Sequence, residues 1–214
     1  MFLSMAKINS LIVATTNIGK VREIQHELDS AGLSFMTIRT VADLPGYQGP
    51  QEDQPTFIGN AIIKATAAAK YTGSWALADD SGLCVRTLGG MPGVYSARFA
   101  GPDATDSQNN AKLMTEIRNL GIDHHPASYV CVIALACPHA LVAIFTGHLE
   151  GEITLTPKGS GGFGYDPYFF IPPLGRTAAE LTLDEKSKIS HRGIAIRSAI
   201  RWIRINLPRL CAIS

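Results

Sequence analysis

The hydrophobic pattern at the start of the chain predicts a strand, a helix and a second strand. The apolar run from Leu11 to Ala14 is typical of a short buried strand. Apolar residues then recur at three- and four-residue spacing over residues 20–33, which predicts a helix that ends near Gly32. Residues 35–40 predict the next strand. This alternation is how an α/β fold begins.

The remaining pattern continues the alternation of loops, helices and strands. Residues 44–55 predict a loop, and residues 56–71 predict a helix capped by Thr56. A strand is predicted over residues 75–78 and is expected to end at the polar segment 79–82. Ligand groups tend to lie at the carboxyl ends of such strands. Further predictions are a helix over 105–120, strands over 129–137, 141–149 and 168–171, a glycine-rich loop over 158–163, and a turn followed by a helix within 185–207.

Length and composition favour one globular domain over residues 1–214, because 46% of the residues are hydrophobic and 17% are charged. Residues 1–9 precede the first strand and are interpreted as an extra N-terminal leader, with Met5 as an alternative start. The net charge of +1 disfavours nucleic acid as a partner. No apolar run approaches the roughly 20 residues that a membrane helix needs, so no membrane partner is expected.

The cysteines predict ordinary thiols in a cytoplasmic protein. None of the four, at positions 84, 131, 137 and 211, forms a C-x-x-C pair. Cys131 and Cys137 lie in or beside an apolar run, where a cysteine behaves as a small core residue. Reduced cysteines are typical of the cytoplasm.

A candidate phosphate-binding loop spans residues 15–20, between the first strand and the first helix. Amide groups at a helix start attract anions, and Lys20 adds a positive charge. The segment is not a P-loop, because Ala14 stands where that motif has glycine and Val21 cannot bind magnesium. An ordinary strand-to-helix turn is the alternative.

A candidate metal site is the acidic pair Asp79 and Asp80. Two adjacent carboxylates repel each other unless a cation or hydrogen-bond donors lie nearby, and hard cations with phosphate ligands favour such oxygens. Glu52 and Asp53 on the preceding polar loop could complete the shell of the ion. A turn or helix cap at the pair, and a solvated loop at 52–53, are the alternatives.

A candidate base-binding segment is the glycine-rich stretch 159–165. Glycines let a backbone approach a ligand closely, and Phe163 and Tyr165 offer flat faces for stacking. Groups for a base edge and for phosphate follow at Asp166, Lys186, His191 and Arg192. The alternatives are a core position for Phe163, a solvated helix face at 191–192 and, on the helix from Thr56, an exposed Lys64.

Taken together, these segments resemble the inosine triphosphate pyrophosphatase family. The resemblance covers nearly the whole chain, from about Leu11 to Arg201. Its motifs occur in order as TTNIGK (15–20), TFIGNAIIKA (56–65), ADDSGL (78–83), LGGMPGVYSAR (88–98), GGFGYDP (161–167) and EKSKISHRG (185–193).

The resemblance implies a fold and a reaction. The fold would be an elongated central mixed sheet flanked by helices, in two lobes with a nucleotide cleft between them, usually in a homodimer. The reaction would be magnesium-dependent hydrolysis of non-standard purine nucleoside triphosphates (ITP, dITP and XTP) to the monophosphate and pyrophosphate. That activity would clear deaminated purines from the nucleotide pool.

The resemblance also implies roles for individual residues. Asp80 would be the general base and a magnesium ligand, either with Glu52 or with water and phosphates alone. Many family members have glycine where this chain has Thr16, which fits if the position needs no positive φ. Substrate contacts are implied for Thr15, Thr16, Asn17, Ile18, Gly19, Lys20, Lys64, Ser81, Phe163, Gly164, Tyr165, Asp166, Lys186, His191 and Arg192.

Discrimination is expected at the purine 6-position, where hypoxanthine and xanthine carry a keto oxygen and adenine an amine. Donors from His191 or Arg192 would pair with the keto group and leave the amine of adenine opposite a donor. A site built in this way can reject an analogue by about 10⁴-fold.

Three other functions are less favoured. A related pyrophosphatase of the septum-inhibitor type, which prefers pyrimidine triphosphates, is disfavoured by residues 163–166 and 190–192. A nucleotide- or RNA-binding module without catalysis is disfavoured by the balanced charge and by the acidic pair. A P-loop phosphohydrolase that releases inorganic phosphate is disfavoured by the missing motif.

Overall fold

The computed structural model describes residues 10–33 and 37–210, with the backbone alone for Ser10 and for residues 207–210. The predicted leader, positions 35 and 36 of the second predicted strand, and Cys211 lie outside the described residues.

The described part of the chain contains α-helices joined by loops and short 3-10 turns. Their bounds agree with the predicted helices, except that the last predicted segment forms two helices separated by Ser190. The helices are α1 (Ile18–Ser30), α2 (Phe57–Thr72), α3 (Asp106–Asn119), α4 (Leu183–Ile189) and α5 (His191–Leu210).

The strands form one seven-stranded sheet in the order β2-β1-β3-β4-β5-β6-β7. Strand β1 pairs in parallel with β2 and β3, whereas β6 is antiparallel to both β5 and β7. The predicted central mixed sheet is thereby confirmed. The strands are β1 (Ser10–Val13), β2 (Thr37–Thr40), β3 (Ala76–Val85), β4 (Pro126–Cys137), β5 (Ala140–Ile153), β6 (Phe169–Ile171) and β7 (Arg176–Thr177).

Side-chain caps set the starts of the helices, as the sequence predicted for α2. The Thr56 hydroxyl accepts a hydrogen bond of 3.1 Å from the Gly59 amide, and the Asn17 side chain accepts one of 3.1 Å from the Lys20 amide at the start of α1. Each cap satisfies an amide that the helix leaves without an internal partner.

The chain forms two compact units. The first unit contains the described residues up to Asp79, together with Val132–Phe145 and those from Ala195 onward. The second unit contains Asp80–Cys131 and Thr146–Ile194. Each boundary falls inside β3, β4, β5 or α5, so neither unit is a separate stretch of sequence.

Each unit has its own hydrophobic core. In the first unit, small side chains of α2 pack with residues of β1, β3 and β4, which agrees with the close packing expected of its alanines. In the second unit the core contains larger side chains, among them Phe99, Tyr129 and Phe169. The alanines of α2 that are fully buried are Ala61, Ala65, Ala68 and Ala69.

The position of the acidic pair differs from the prediction. Strand β3 does not end at Ala78 but continues to Val85, so Asp79 and Asp80 lie within it. The strand continues because apolar residues beyond the pair, such as Leu83, are buried in the second core. Successive side chains of a strand point to opposite faces of the sheet. The two carboxylates therefore point to opposite faces.

The described cysteines are free thiols, as expected. Cys131 is buried in β4, whereas Cys84 and Cys137 are partly buried. Burial raises the pKa of the Cys84 thiol above its usual range. None of the helices in the described ranges is both long enough and apolar enough to cross a membrane.

The capping box of α3 generates a prediction about stability. The Thr105 hydroxyl accepts a hydrogen bond from the Gln108 amide, and the Gln108 side chain accepts one from the Thr105 amide. Thr105→Ala is expected to lower the free energy of unfolding by about 1 kcal/mol, measured by urea denaturation. The matched control is Thr115→Ala within the same helix, where the exposed hydroxyl only bonds the Ala111 carbonyl. Equal losses in the two variants would contradict the capping role.

Candidate functional site

The predicted phosphate loop, residues 15–20, leads from β1 into α1 in the first unit. The Thr15 hydroxyl accepts a hydrogen bond of 3.1 Å from the Asn17 amide, and Asn17 in turn caps α1. No residue other than glycine has a positive φ in the described ranges, so Thr16 fits where many family members have glycine. The loop therefore presents the start of a helix, where amide groups favour an anion.

Lys20 forms an ion pair with Asp79. The Lys20 side chain is 16% exposed and that of Asp79 is fully buried, so the ammonium group is held at the surface by a carboxylate below it. A lysine held in this way can bind a phosphate without first losing the freedom of its side chain. Asp79 therefore holds the Lys20 ammonium group in position, a role that the sequence did not indicate.

Lys64 and Glu52 form a second ion pair in the first unit, with 3.2 Å between Nζ and Oε2. The Lys64 side chain is only 12% exposed, which disfavours its interpretation as an ordinary surface lysine. Glu52, which was predicted as a metal ligand, therefore lies beside a cation on α2.

Asp80 and Ser81 begin the second unit. Asp80 is buried, and the Ser81 hydroxyl accepts a hydrogen bond of 2.8 Å from the Arg192 guanidinium. Ser81, which was predicted to contact substrate, is thus also the support of another predicted site residue.

The Asp80 carboxylate fits a magnesium ion that binds together with phosphates. Mg²⁺ prefers oxygen ligands and keeps several waters, so one or two carboxylates with substrate phosphates are sufficient to bind it. Asp80 supplies a buried carboxylate of this kind. Throughout residues 10–33 and 37–210, no group of three or more His, Cys, Asp or Glu side chains could hold a metal by itself.

The carboxylate of Asp166 organises the glycine-rich loop of the second unit. Its Oδ2 accepts hydrogen bonds from the Phe163 amide at 2.9 Å and from the Lys186 ammonium at 2.6 Å. Its Oδ1 accepts one from the Tyr129 hydroxyl at 3.2 Å. Asp166 and Lys186 are both buried, so the ion pair is largely shielded from water. Asp166 therefore joins the loop to β4 and α4.

Two glycines make this loop possible. Gly162 has a φ of +72°, and a Cβ there would collide with Asp166 Oδ2. The Gly164 amide donates a hydrogen bond of 2.7 Å to Asp106, and its carbonyl accepts one of 2.9 Å from Asn110. Both partners lie in the first turns of α3, so this helix fixes the tip of the loop.

The Phe163 ring has cations beside it. The Lys186 ammonium lies 4.9 Å from the ring centroid, and the Arg192 guanidinium carbon lies 5.5 Å from it. Phe163 is only partly buried and is absent from the core cluster of this unit. The ring thus retains accessible surface on which a purine could stack, next to positive charge.

His191 and Arg192 are the first residues of α5, and both are buried, with 4% and 2% of their surface exposed. The alternative of a solvated helix face does not describe them. Ser190 separates α4 from α5, and its hydroxyl accepts a hydrogen bond of 3.0 Å from the Gly193 amide. Because the helix is interrupted at Ser190, α5 starts with the His191 and Arg192 side chains directed into the interior of the second unit.

Tyr165 belongs to the hydrophobic core rather than to an open face. Its hydroxyl donates a hydrogen bond of 2.8 Å to the Ser96 carbonyl, and its ring packs in the second core. Burial, with a smaller contribution from the Asp106 charge, raises the pKa of this phenol far above its usual range. Tyr165 therefore anchors the glycine-rich loop from below.

Sequence reasoning missed the residues that support the site. Tyr129, Asp106 and Asn110 contact the loop across separations of 37, 58 and 54 residues. Tyr129 read as a strand residue, and the other two read as the polar start of a helix. No local pattern distinguishes such residues from ordinary strand or helix positions.

Comparisons with known proteins agree with the motifs. The sequence profile of the Ham1 family matches residues 11–202. A dITP/XTP pyrophosphatase of Geobacter sulfurreducens is 49% identical over 186 residues, which cover 87% of this chain and 92% of that protein. Proteins of the same name from Desulforamulus reducens and Escherichia coli are 47% and 46% identical, over 89% and 91% of this chain and 93% and 98% of their own lengths.

Solved structures show the same fold. A HAM1 protein from Coxiella burnetii superimposes with a TM-score of 0.81 at 39% identity, covering 91% of this chain and 98% of that one. The Ham1 protein of Staphylococcus aureus gives a TM-score of 0.78 at 36% identity, with the same coverage. The family resemblance predicted from the motifs is confirmed.

The buried pair of Asp166 and Lys186 generates a prediction about stability. Asp166→Asn removes the negative charge beside the buried Lys186 ammonium and puts an amide group among donors. Removing one partner of a buried pair is expected to lower the free energy of unfolding by about 3–5 kcal/mol, measured by urea denaturation.

A matched control for Asp166→Asn is Glu185→Gln. Glu185 pairs with Arg176, but those side chains are 41% and 40% exposed, so little change in stability is expected. Similar small changes in the two variants would show that Asp166 does not organise the loop.

Proposed function

The chain belongs to the Ham1 family, and from that premise we propose that it hydrolyses non-standard purine nucleoside triphosphates (ITP, dITP and XTP) to the monophosphate and pyrophosphate. The relatives named dITP/XTP pyrophosphatase, at 46–49% identity over most of both chains, support this substrate class. The geometric observation that carries the proposal is the buried Arg192 guanidinium at the partly exposed Phe163 ring, with the buried His191 as its neighbour in the chain.

The base would be selected by these donors. A purine stacked on Phe163 presents its edge to groups that are shielded from water. A 6-keto oxygen accepts a hydrogen bond from such a donor, whereas the amine of adenine leaves two donors facing each other. An unpaired buried donor costs about 1–3 kcal/mol, so the adenine nucleotide is penalised.

The triphosphate would be bound by the loop of residues 15–20 and by two lysines. The helix start at residues 15–20 supplies amide groups, and Lys20 and Lys64 supply charge. The carboxylates that pair with these lysines, Asp79 and Glu52, keep each ammonium group in place. Mg²⁺, when bound with Asp80 and the phosphates, supplies further positive charge against the polyanion.

Asp80 would accept the proton of the attacking water. The water oxygen attacks the α-phosphorus, the bond to the bridging oxygen of the β-phosphate breaks, and pyrophosphate leaves. Because Asp79 and Asp80 point to opposite faces of β3, the acid that holds Lys20 is not the one that activates water. A positioned carboxylate base contributes about 10²–10⁴-fold to such a step.

The proposal includes the cellular setting that the family resemblance implies. The protein would act as a homodimer in the cytoplasm and remove deaminated purine nucleotides before polymerases use them.

A nucleotide panel tests the reaction. The purified protein with magnesium is incubated with ITP, dITP, XTP, ATP and dTTP, and the products are separated by ion-exchange chromatography. Monophosphate and pyrophosphate are expected from the first three. ATP is expected to be spared because its 6-amine opposes a buried donor, and dTTP because the proposed site is one for purines. Diphosphate with inorganic phosphate would contradict the proposed bond, and a preference for dTTP would contradict the proposed base site.

Asp80→Asn tests the general base. The variant is expected to lose turnover of ITP by about 10²-fold or more, because an amide cannot accept the proton, while ITP binding measured by calorimetry is retained. Asp103→Asn removes an exposed acid of the same unit and is expected to leave turnover unchanged. Full turnover in Asp80→Asn would remove this residue as the base.

A further inference from the structure

Tyr129 on β4 contacts both parts of the candidate base site without being one of its predicted members. The side chain is buried, with 7% of the residue exposed. Its hydroxyl donates to Asp166 Oδ1 at 3.2 Å, and its ring lies parallel to the His191 imidazole, with centroids 4.7 Å apart and planes 10° apart. The ring also packs against Phe169, with centroids 4.4 Å apart.

The two ends of Tyr129 support different tasks. The hydroxyl end acts through Asp166, whose other oxygen holds the Phe163 amide and the Lys186 ammonium. The ring end fixes the plane of the His191 imidazole. The direction of the hydrogen bonds that an imidazole makes depends on the plane of its ring. The Tyr129 side chain therefore connects Asp166, which holds the Phe163 loop, with His191, which is proposed to pair with the base edge.

Tyr129 can only act as a neutral donor. Burial, followed by the charge of Asp166 and the hydrogen bond to it, raises the pKa of the phenol well above its usual value. Near neutral pH the hydroxyl therefore carries its proton and can donate it to Asp166.

We propose that Tyr129 is a positioning residue for purine selection: its ring sets the orientation of His191, and its hydroxyl sets the stacking platform through Asp166. This inference rests on the proposed function, because it concerns how that same site distinguishes hypoxanthine from adenine. Tyr129 itself does not contact the nucleotide.

Two substitutions separate the two ends. Tyr129→Leu removes the ring that covers His191, so the ratio of kcat/KM for ITP to that for ATP is expected to fall by about 10- to 100-fold. Tyr129→Phe keeps the ring and loses only the hydroxyl. It is expected to raise KM for ITP and ATP alike by about fivefold, through the platform that every purine uses, and to leave their ratio unchanged.

Ile117→Ala is the control for the effect of lost packing alone. Ile117 is fully buried in the same core cluster, so this variant loses stability in the same unit without touching the base site. All three variants are compared after thermal unfolding has established that they are folded at the assay temperature. The nucleotide ratio of Ile117→Ala is expected to equal that of the wild type.

A spectroscopic measurement reports on the stack without any nucleotide. The imidazole of His191, assigned in histidine-labelled protein by its loss in His191→Asn, is expected to show a ring-current shift from Tyr129. Tyr129→Phe is expected to keep this shift, and Tyr129→Leu is expected to lose it.

The outcomes distinguish this inference from the proposed function. If the wild type hydrolyses ITP but Tyr129→Leu retains its nucleotide ratio, or Ile117→Ala loses the ratio equally, the positioning role is overturned and the function stands. An unchanged His191 shift in Tyr129→Leu overturns the stack itself. If the wild type hydrolyses none of the nucleotides, the proposed function fails and the inference falls with it.

Discussion

The buried carboxylate of Asp166 is the group on which the second unit depends most. A charge removed from water costs several kcal/mol unless it is paired and hydrogen-bonded, and here the partners come from three elements. The Phe163 amide comes from the loop, the Lys186 ammonium from α4 and the Tyr129 hydroxyl from β4. Gly162 is required because a Cβ would displace the same oxygen. The observed loop conformation satisfies Asp166 and holds the backbone of Phe163 in place.

The alternation of strand β3 separates two acids that look equivalent in sequence. Asp79 forms an ion pair with Lys20. The charge of Asp79 therefore stabilises this cation rather than repelling Asp80. Asp80 lies on the opposite face of the strand, turned away from Asp79. Of the two carboxylates, Asp79 therefore pairs with a lysine, and Asp80 is the one proposed as the general base.

Local patterns were sufficient for most of the elements, and the structure brings several of the predicted site residues together around Phe163. The β1–α1–β2 start and the Thr56 cap follow from periodicity and from short-range hydrogen bonds, which a sequence displays directly. The length of β3 does not follow from local patterns, because the burial of Leu83 in the second core extends the strand beyond its polar middle. Tyr165 offered a flat face in sequence, but whether an aromatic ring stacks on a ligand or fills a core is decided by tertiary contacts. For the same reason no pattern pointed to Tyr129.

If the proposed function holds, the hydrogen bond from Arg192 to the Ser81 hydroxyl, 2.8 Å long, connects base recognition to catalysis. Ser81 follows Asp80 in β3, so the donor proposed to read the purine is tied to the residue next to the proposed general base. Binding energy accelerates the chemical step only where an interaction is stronger in the transition state than in the ground state. Under the proposed function, a base that pairs correctly would leave Arg192 on Ser81 and keep the nucleotide in place relative to the Asp80 carboxylate. A base that pairs wrongly would strain this contact or shift. Selection would then appear in the rate of hydrolysis as well as in affinity.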